Sequence, residues 1–179
     1  TSIMGYADKL SKDDMPQERR MRYLDTVYGK SLEIQELVNE FDEYLGYRMP
    51  QELKTEPISA NDLVLLVKKE YQDELEMSGV NLNINNYAGE AKICIDIGKL
   101  KRVFGNIFSN SLKHFKDNEK NINFDISCDR QTLFINIGDS GEGVEEEKLN
   151  VIFEPLYTSD EGRKVAGLGL SICREIINS

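Results

Sequence analysis

The stretch Asn106-Ile107-Phe108-Ser109-Asn110-Ser111-Leu112-Lys113-His114 lies inside a run from about Gly98 to Lys116 whose apolar residues recur at helical spacing. Residues 106, 110, 113 and 114 stand at i, i+4, i+7 and i+8, so two amides, an ammonium and an imidazole share one helical face. Val103, Phe104, Ile107, Phe108 and Leu112 take the other, the mark of a helix laid on a core. An amide oxygen is a hard, neutral ligand that suits Mg²⁺ beside phosphates and water, and a nearby Lys supplies charge to those phosphates. A solvated polar face explains the same pattern, so the stretch gains meaning only from its neighbours.

Around it the periods alternate. Val80 to Ile84 and Lys92 to Ile97 alternate like half-buried strands, and Ser59 to Asp62 reads as a helix start before Leu63, Leu66, Val67 and Glu70. Asn121 to Cys128 and Thr132 to Gly138 form two β-like runs joined by a polar turn at Asp129 to Gln131, a hairpin signal. A short helix over Glu145 to Phe153 and a last one over Gly167 to Ile177 follow. This order predicts an α+β fold, a two-layer α/β sandwich with a mixed sheet covered by helices on one face.

Upstream, Leu24, Val27, Ser31, Ile34, Val38, Phe41 and Leu45 recur with alternating gaps of three and four, a heptad seam that only Ser31 interrupts. Pro16 suits a first helical turn and Asp13 or Asp14 a cap, which predicts a long helix from about Pro16 to Leu45. Ile3, Ala7 and Leu10 form a second stripe before the turn at Ser11 to Met15, so the sandwich is preceded by an antiparallel helical hairpin. The hairpin is too thin to bury both faces alone. Pairing with a second copy, or packing as a cap on the downstream domain, would cover it. The chain divides near Tyr47 to Pro57, into residues 1–50 and 51–179.

Composition narrows the classes. With 22 basic and 32 acidic side chains the net charge is −10, which disfavours nucleic acid and anionic membranes as partners. No window approaches the roughly 18 uninterrupted apolar residues of a membrane span. Cys94, Cys128 and Cys173 lie far apart in apolar runs, without a disulfide or zinc pattern, as in a reducing compartment. His114 is the one histidine and cannot build a metal site alone.

Three further segments carry chemical possibilities. Asp139-Ser140-Gly141-Glu142-Gly143 follows the strand Leu133 to Ile137 directly. A carboxylate there can accept from an exocyclic amine, and two glycines let backbone pass close to a flat ring, although an ordinary turn has the same composition. Ile152-Phe153-Glu154-Pro155-Leu156-Tyr157 precedes a polar stretch, Thr158 to Lys164, which reads as a surface loop or as a lid hinged on a packed Phe153. Gly167-Leu168-Gly169-Leu170 opens the last helix, where free backbone N–H groups and the helix dipole favour an anion. Its spacing is neither that of the Walker loop nor that of the dinucleotide fingerprint.

Taken together, in this order and spacing, the four segments resemble the N, G1, F and G2 boxes of the sensor histidine kinase catalytic domain, a branch of the GHKL ATP-binding superfamily. The resemblance runs from about Lys54 onward, and the hairpin is similar to the family's dimerisation and histidine-phosphotransfer element. It implies that Asp139 reads the adenine amine of ATP, that Asn110 holds Mg²⁺ against the triphosphate with Asn106 in support, and that Lys113 neutralises phosphate charge. It also implies that His114 lines the nucleotide site and that Gly141, Gly143, Gly167, Leu168 and Gly169 are backbone-contact positions. Phe153 would anchor a lid over Thr158 to Ala166, with Arg163 as its cation. Hydrolytic members of the superfamily carry Glu where this chain has Asn106; an amide cannot activate water, which favours phosphoryl transfer.

The resemblance implies an ATP-dependent protein-histidine kinase that acts as a homodimer, phosphorylates its own His and passes the phosphoryl group to an Asp of a response regulator. The phosphorylated His would lie about two helical turns upstream of Thr1, and relatives continue past the last helix into a β-hairpin, so the chain is expected to be a piece of a longer protein. Val165 stands where the family usually has a first glycine. The piece itself is expected in the cytoplasm without direct membrane contact, while its parent could be membrane-anchored. A dimerising module that binds ATP without transferring phosphate is the alternative.

Overall fold

A computed structural model describes residues 3–12, 15–49, 52–116, 119–158 and 167–179. The chain runs α1 (Ile3–Leu10), α2 (Gln17–Arg48), β1 (Glu56–Ser59), α3 (Ala60–Met77), β2 (Val80–Asn86), β3 (Lys92–Ile95), α4 (Ile97–His114), β4 (Lys120–Cys128), β5 (Leu133–Asp139) and α5 (Gly169–Asn178). The two-layer α+β arrangement behind a helical hairpin matches the pattern in the sequence.

Two sheets form. β4 is central to one of them, parallel to β2 on one side and antiparallel to β5 on the other. The second is the antiparallel pair β1 and β3. β1 escapes a sequence reading because it has four residues, one of them Pro57, and only its pairing with β3 makes it a strand.

Strict alternation in β2 and β4 sorts their side chains to two faces. Ile122, Phe124 and Ile126 point inward and are fully buried against Leu63, Val67 and Leu75 of α3 and Leu100, Phe104 and Phe108 of α4. Phe104 meets Phe124 edge-on at 5.2 Å, and Tyr71 meets Phe108 at 5.0 Å. On the outer face Asn81, Asn83 and Asn85 each donate across to Asn121, Asn123 and Asp125 at 3.2, 3.1 and 2.8 Å. These three rungs repeat the backbone register, so a one-residue slip would lose the ladder and turn the apolar set outward together.

Local signals set the helix starts. Ser59 caps α3, accepting from the Asp62 N–H at 3.0 Å while its hydroxyl donates to the Asp62 carboxylate at 2.6 Å. That hydrogen bonding holds the Asp62 carboxyl below the usual range. Asp96 caps α4 through the Lys99 N–H and also accepts from the Lys54 N–H, both at 3.1 Å.

α1 folds back on α2, with Tyr6 and Tyr23 at 5.1 Å and Lys9 over the Tyr23 ring. The start of α2 differs from the expectation: Asp13 and Asp14 lie outside the described residues, and the position before the helix is Pro16, with no side-chain cap. The α2 seam at Leu24, Ile34, Val38, Phe41 and Leu45 is exposed in the single chain. The last turns of α2 enter a second apolar cluster, where Tyr44 and Tyr47 meet Val103 and Ile107 of α4 and Leu168, Ile172, Cys173 and Ile176 at the start of and along α5.

The helix expected over Glu145 to Phe153 does not form. Glu146–Lys148 is one 3₁₀ turn, and the chain continues through further i to i+3 bonds at Val151, Glu154 and Tyr157. Pro155 cannot continue an α-helical ladder, and Leu156 follows it with φ of 67°, a left-handed conformation costly for a branched side chain. The last helix begins at Gly169 rather than Gly167.

Replacing Ser59 by Ala removes both halves of its reciprocal bond with Asp62 and should lower unfolding free energy by about 1 kcal/mol. Urea denaturation followed by far-ultraviolet circular dichroism measures this.

Candidate functional site

α4 is the axis of the site because it is buried on two sides. Leu100, Phe104, Phe108 and Ser111 face the sheet, and Val103 and Ile107 face α5 and the base of α2. What remains is the strip bearing Asn106, Asn110, Lys113 and His114.

Asn106 reaches α5: its Nδ2 donates to the Gly169 carbonyl at 3.1 Å. Among the described residues the half-buried Asn110 amide has no hydrogen-bond partner, one turn further along, and Lys113 is exposed. At the end of α4 the strip meets the loop after β5. His114 Nδ1 lies 3.3 Å from Glu142 Oε1, and Lys116 Nζ lies 3.2 Å from Glu142 Oε2. Lys116 and then His114 hold the Glu142 carboxyl below its usual range.

Asp139 ends β5 with both oxygens engaged. Ser111 Oγ donates to Oδ2 at 2.8 Å, and the Gly141 N–H donates to Oδ1 at 2.8 Å. A Cβ at Gly141 would lie 2.7 Å from Asp139 Oδ1 and 3.1 Å from the His114 carbonyl, so the loop closes this tightly only with glycine there. Gly143 takes a left-handed φ of 73°, which suits a residue without Cβ.

The segment after the loop differs from its expectation. Phe153 is 38% exposed and is not a packed anchor, because the tight turns that replace the expected helix lie on the surface and offer no buried face. The expected lid beyond Thr158, Arg163 and Val165 included, lies outside the described residues. Its flanks touch: a Cβ at Gly167 would overlap the Tyr157 carbonyl oxygen, so the backbone at Gly167 lies directly on Tyr157. The Leu168 side chain is fully buried in the second cluster, which leaves only its backbone free to face a ligand. α5 has no side-chain cap at its start, where Gly169 stands.

Two participants escaped the sequence pattern. Ser111 stands on the buried stripe of α4, seven residues from Phe104 and three from Phe108, and a polar residue interrupting such a stripe was the available signal. Glu40 of α2 had no signal, since only the docking of α2 on α4 brings it near. Burial pushes its carboxyl above the usual carboxylate range, while Lys113 and Arg102 pull it down less strongly and Glu43 and Glu36 push it further up. Arg102 binds Glu43 at 2.5 Å. Glu40 Oε2 and Arg102 Nε are buried without a hydrogen-bond partner among the described residues.

Residues 95–179 match the family described as "Histidine kinase-, DNA gyrase B-, and HSP90-like ATPase". The sensor protein VanS of Enterococcus faecium is 29% identical across 99% of this chain and 47% of its own length. The sensor histidine kinase YcbM of Bacillus subtilis is 28% identical across 98% of the chain and 58% of its length. The chain thus spans about half the length of these curated relatives. Among solved structures, full-length ShkA in complex with AMPPNP superposes with a TM-score of 0.71 at 21% identity, over 97% of this chain and 36% of that one. The histidine kinase ThkA in complex with the response regulator protein TrrA does so with a TM-score of 0.71 at 20% identity, over 97% and 48%. At these identities the structural likeness is one of fold.

Two outcomes follow from the geometry. Gly167→Ala should cost about 1–3 kcal/mol by overpacking, whereas Gly169→Ala, whose Cβ meets Asn106 at an ordinary 3.7 Å, should stay within about 0.5 kcal/mol of wild type; thermal melts of the two variants make the comparison. A raised folded-state value for Glu40 means that its ionised form is disfavoured by folding, a penalty absent below the unfolded value near 4.5 and complete above the raised one. Glu40→Gln should therefore melt above wild type at pH 7.5, and the gap should close as pH falls toward 4.5.

Proposed function

We propose that this chain, whose residues 95–179 match the histidine kinase-, DNA gyrase B- and HSP90-like ATPase family, is the ATP-binding catalytic part of a two-component sensor histidine kinase with part of its dimerisation hairpin. The observation that carries the reading is the pair of ties from α4. Asn106 bonds Gly169 and Ser111 bonds Asp139, which draws two glycine-bearing segments separated in sequence onto one helix.

In this reading Asp139 accepts from the adenine amine and the 139–143 loop follows the ring plane. The uncapped start of α5 and the exposed Lys113 offer N–H groups and positive charge to the phosphates. No group of three His, Cys, Asp or Glu that could hold a metal exists among the described residues. A Mg²⁺ carried in by the triphosphate would take most of its oxygens from phosphate and water, and the Asn110 amide, which has no partner among the described residues, fits the remaining place. Bound Mg²⁺ would supply charge neutralisation at the transferring phosphoryl group.

The chain's own part is positioning. Asn106 is an amide engaged with Gly169 and cannot take a proton from water, which supports transfer to a protein side chain over hydrolysis. His114, held by Glu142, borders the loop after β5 and would line the base. The acceptor His belongs to the parent protein upstream, and an Asp of a response regulator would receive the phosphoryl group. The exposed α2 seam would join two copies into a homodimer. No described helix is long and apolar enough to cross a membrane; in the parent this part would lie on the cytoplasmic side.

The parent protein incubated with labelled Mg-ATP should acquire label that survives base and is lost in acid. Asp139→Asn should abolish nucleotide binding in calorimetry. Unchanged affinity in that variant would refute the site, and intact Asp139-dependent binding without protein label would leave an ATP-binding module instead of a kinase.

A further inference from the structure

Ser111 is 2% exposed on a helix face otherwise filled by Phe104 and Phe108. A hydroxyl there costs free energy unless it is bonded. Its own backbone offers the Ile107 carbonyl, one turn back, at 3.2 Å. Asp139 Oδ2 is nearer, at 2.8 Å, and a carboxylate oxygen can only accept, so the single hydroxyl proton belongs chiefly to Asp139. The Gly141 N–H holds the other oxygen. With one donor on each oxygen the carboxylate cannot turn about its own bond, and the lone pairs left to it keep one direction.

We propose that Ser111 is a positioning residue for base selection: it fixes the plane of the Asp139 carboxylate so that its remaining lone pairs meet the exocyclic 6-amino group of a purine. Resting on the reading of Asp139 given above, the assignment adds a residue that touches no ligand, since a side chain this buried has no free surface. It also predicts what is rejected. A 6-oxo purine would set an oxygen against a fixed carboxylate oxygen, and a carboxylate that cannot rotate cannot relieve the repulsion.

The test deletes the hydroxyl and the ligand amine separately and together. Calorimetry on the chain compares Mg-ATP with the Mg complex of purine riboside triphosphate, which differs by lacking the 6-amino group. Wild type should prefer ATP by about tenfold or more, the range of a hydrogen bond to a charged group. Ser111→Ala should lower that preference by about fivefold while leaving purine riboside triphosphate binding unchanged, and Ser111→Thr, which keeps the hydroxyl, should restore it. Equal weakening of both ligands in Ser111→Ala would show a purely structural tie between α4 and β5 and overturn the proposal, as would an unchanged preference. A wild-type chain that binds ATP but does not discriminate against the analogue would overturn the reading of Asp139, and the proposal with it.

Discussion

The double burial of α4 is the constraint on which the molecule depends. One side of this helix packs through Phe104 and Phe108 against Phe124 of the central strand, and the other meets α5 and the end of α2 through Val103 and Ile107. A helix clamped on two sides has little freedom to rotate or slide, because packed interiors tolerate few displacements of even a methylene. The strip left between the clamps therefore holds Asn106, Asn110, Lys113 and His114 at set positions. Asn106 ties the start of α5 to this helix, and Ser111 ties the end of β5 to it.

The same clamping brings a cost at the hairpin. Docking α2 on α4 half-buries the Glu43 and Arg102 pair and brings Glu40 within its electrostatic reach, with one Glu40 oxygen and one guanidinium nitrogen buried and lacking partners among the described residues. Burial of charge is repaid only when every polar atom is bonded. Strain of a different kind sits in Leu156, left-handed beside Pro155 where the chain leaves its tight turns.

How far the fold was legible depended on whether the determining contacts were local. The capping pair Ser59 and Asp62, the alternation of β2 and β4 and the Asp129 turn act over a few residues, and each was readable. β1 was not, because its strand character comes from β3, 36 residues later. The short helix expected over Glu145 to Phe153 failed for a related reason: its apolar residues had the right spacing, yet among the described residues Leu149, Val151 and Phe153 find no burial that would reward an α-helix over tighter turns. In the candidate site, the residues on exposed faces or in glycine-rich loops were visible from type and spacing. Ser111 was hidden inside an apolar stripe, where only a three-dimensional neighbour explains a hydroxyl.

Periodicity and residue chemistry alone therefore determined the class of fold, the helical hairpin with its seam, and a helix start suited to an anion, while the family resemblance joined the four segments into one expected site. These are properties of one helix face, one strand end or one turn. Tertiary structure alone decided that Asp139 is held by Ser111, that Asn106 spends its amide on Gly169, that Leu168 is buried, and that Glu40 comes within electrostatic reach of Lys113. Each of these pairs joins residues 28 or more positions apart or reverses a local expectation. Contacts of that kind arise from how two cores share one helix, a condition that no window of the sequence contains.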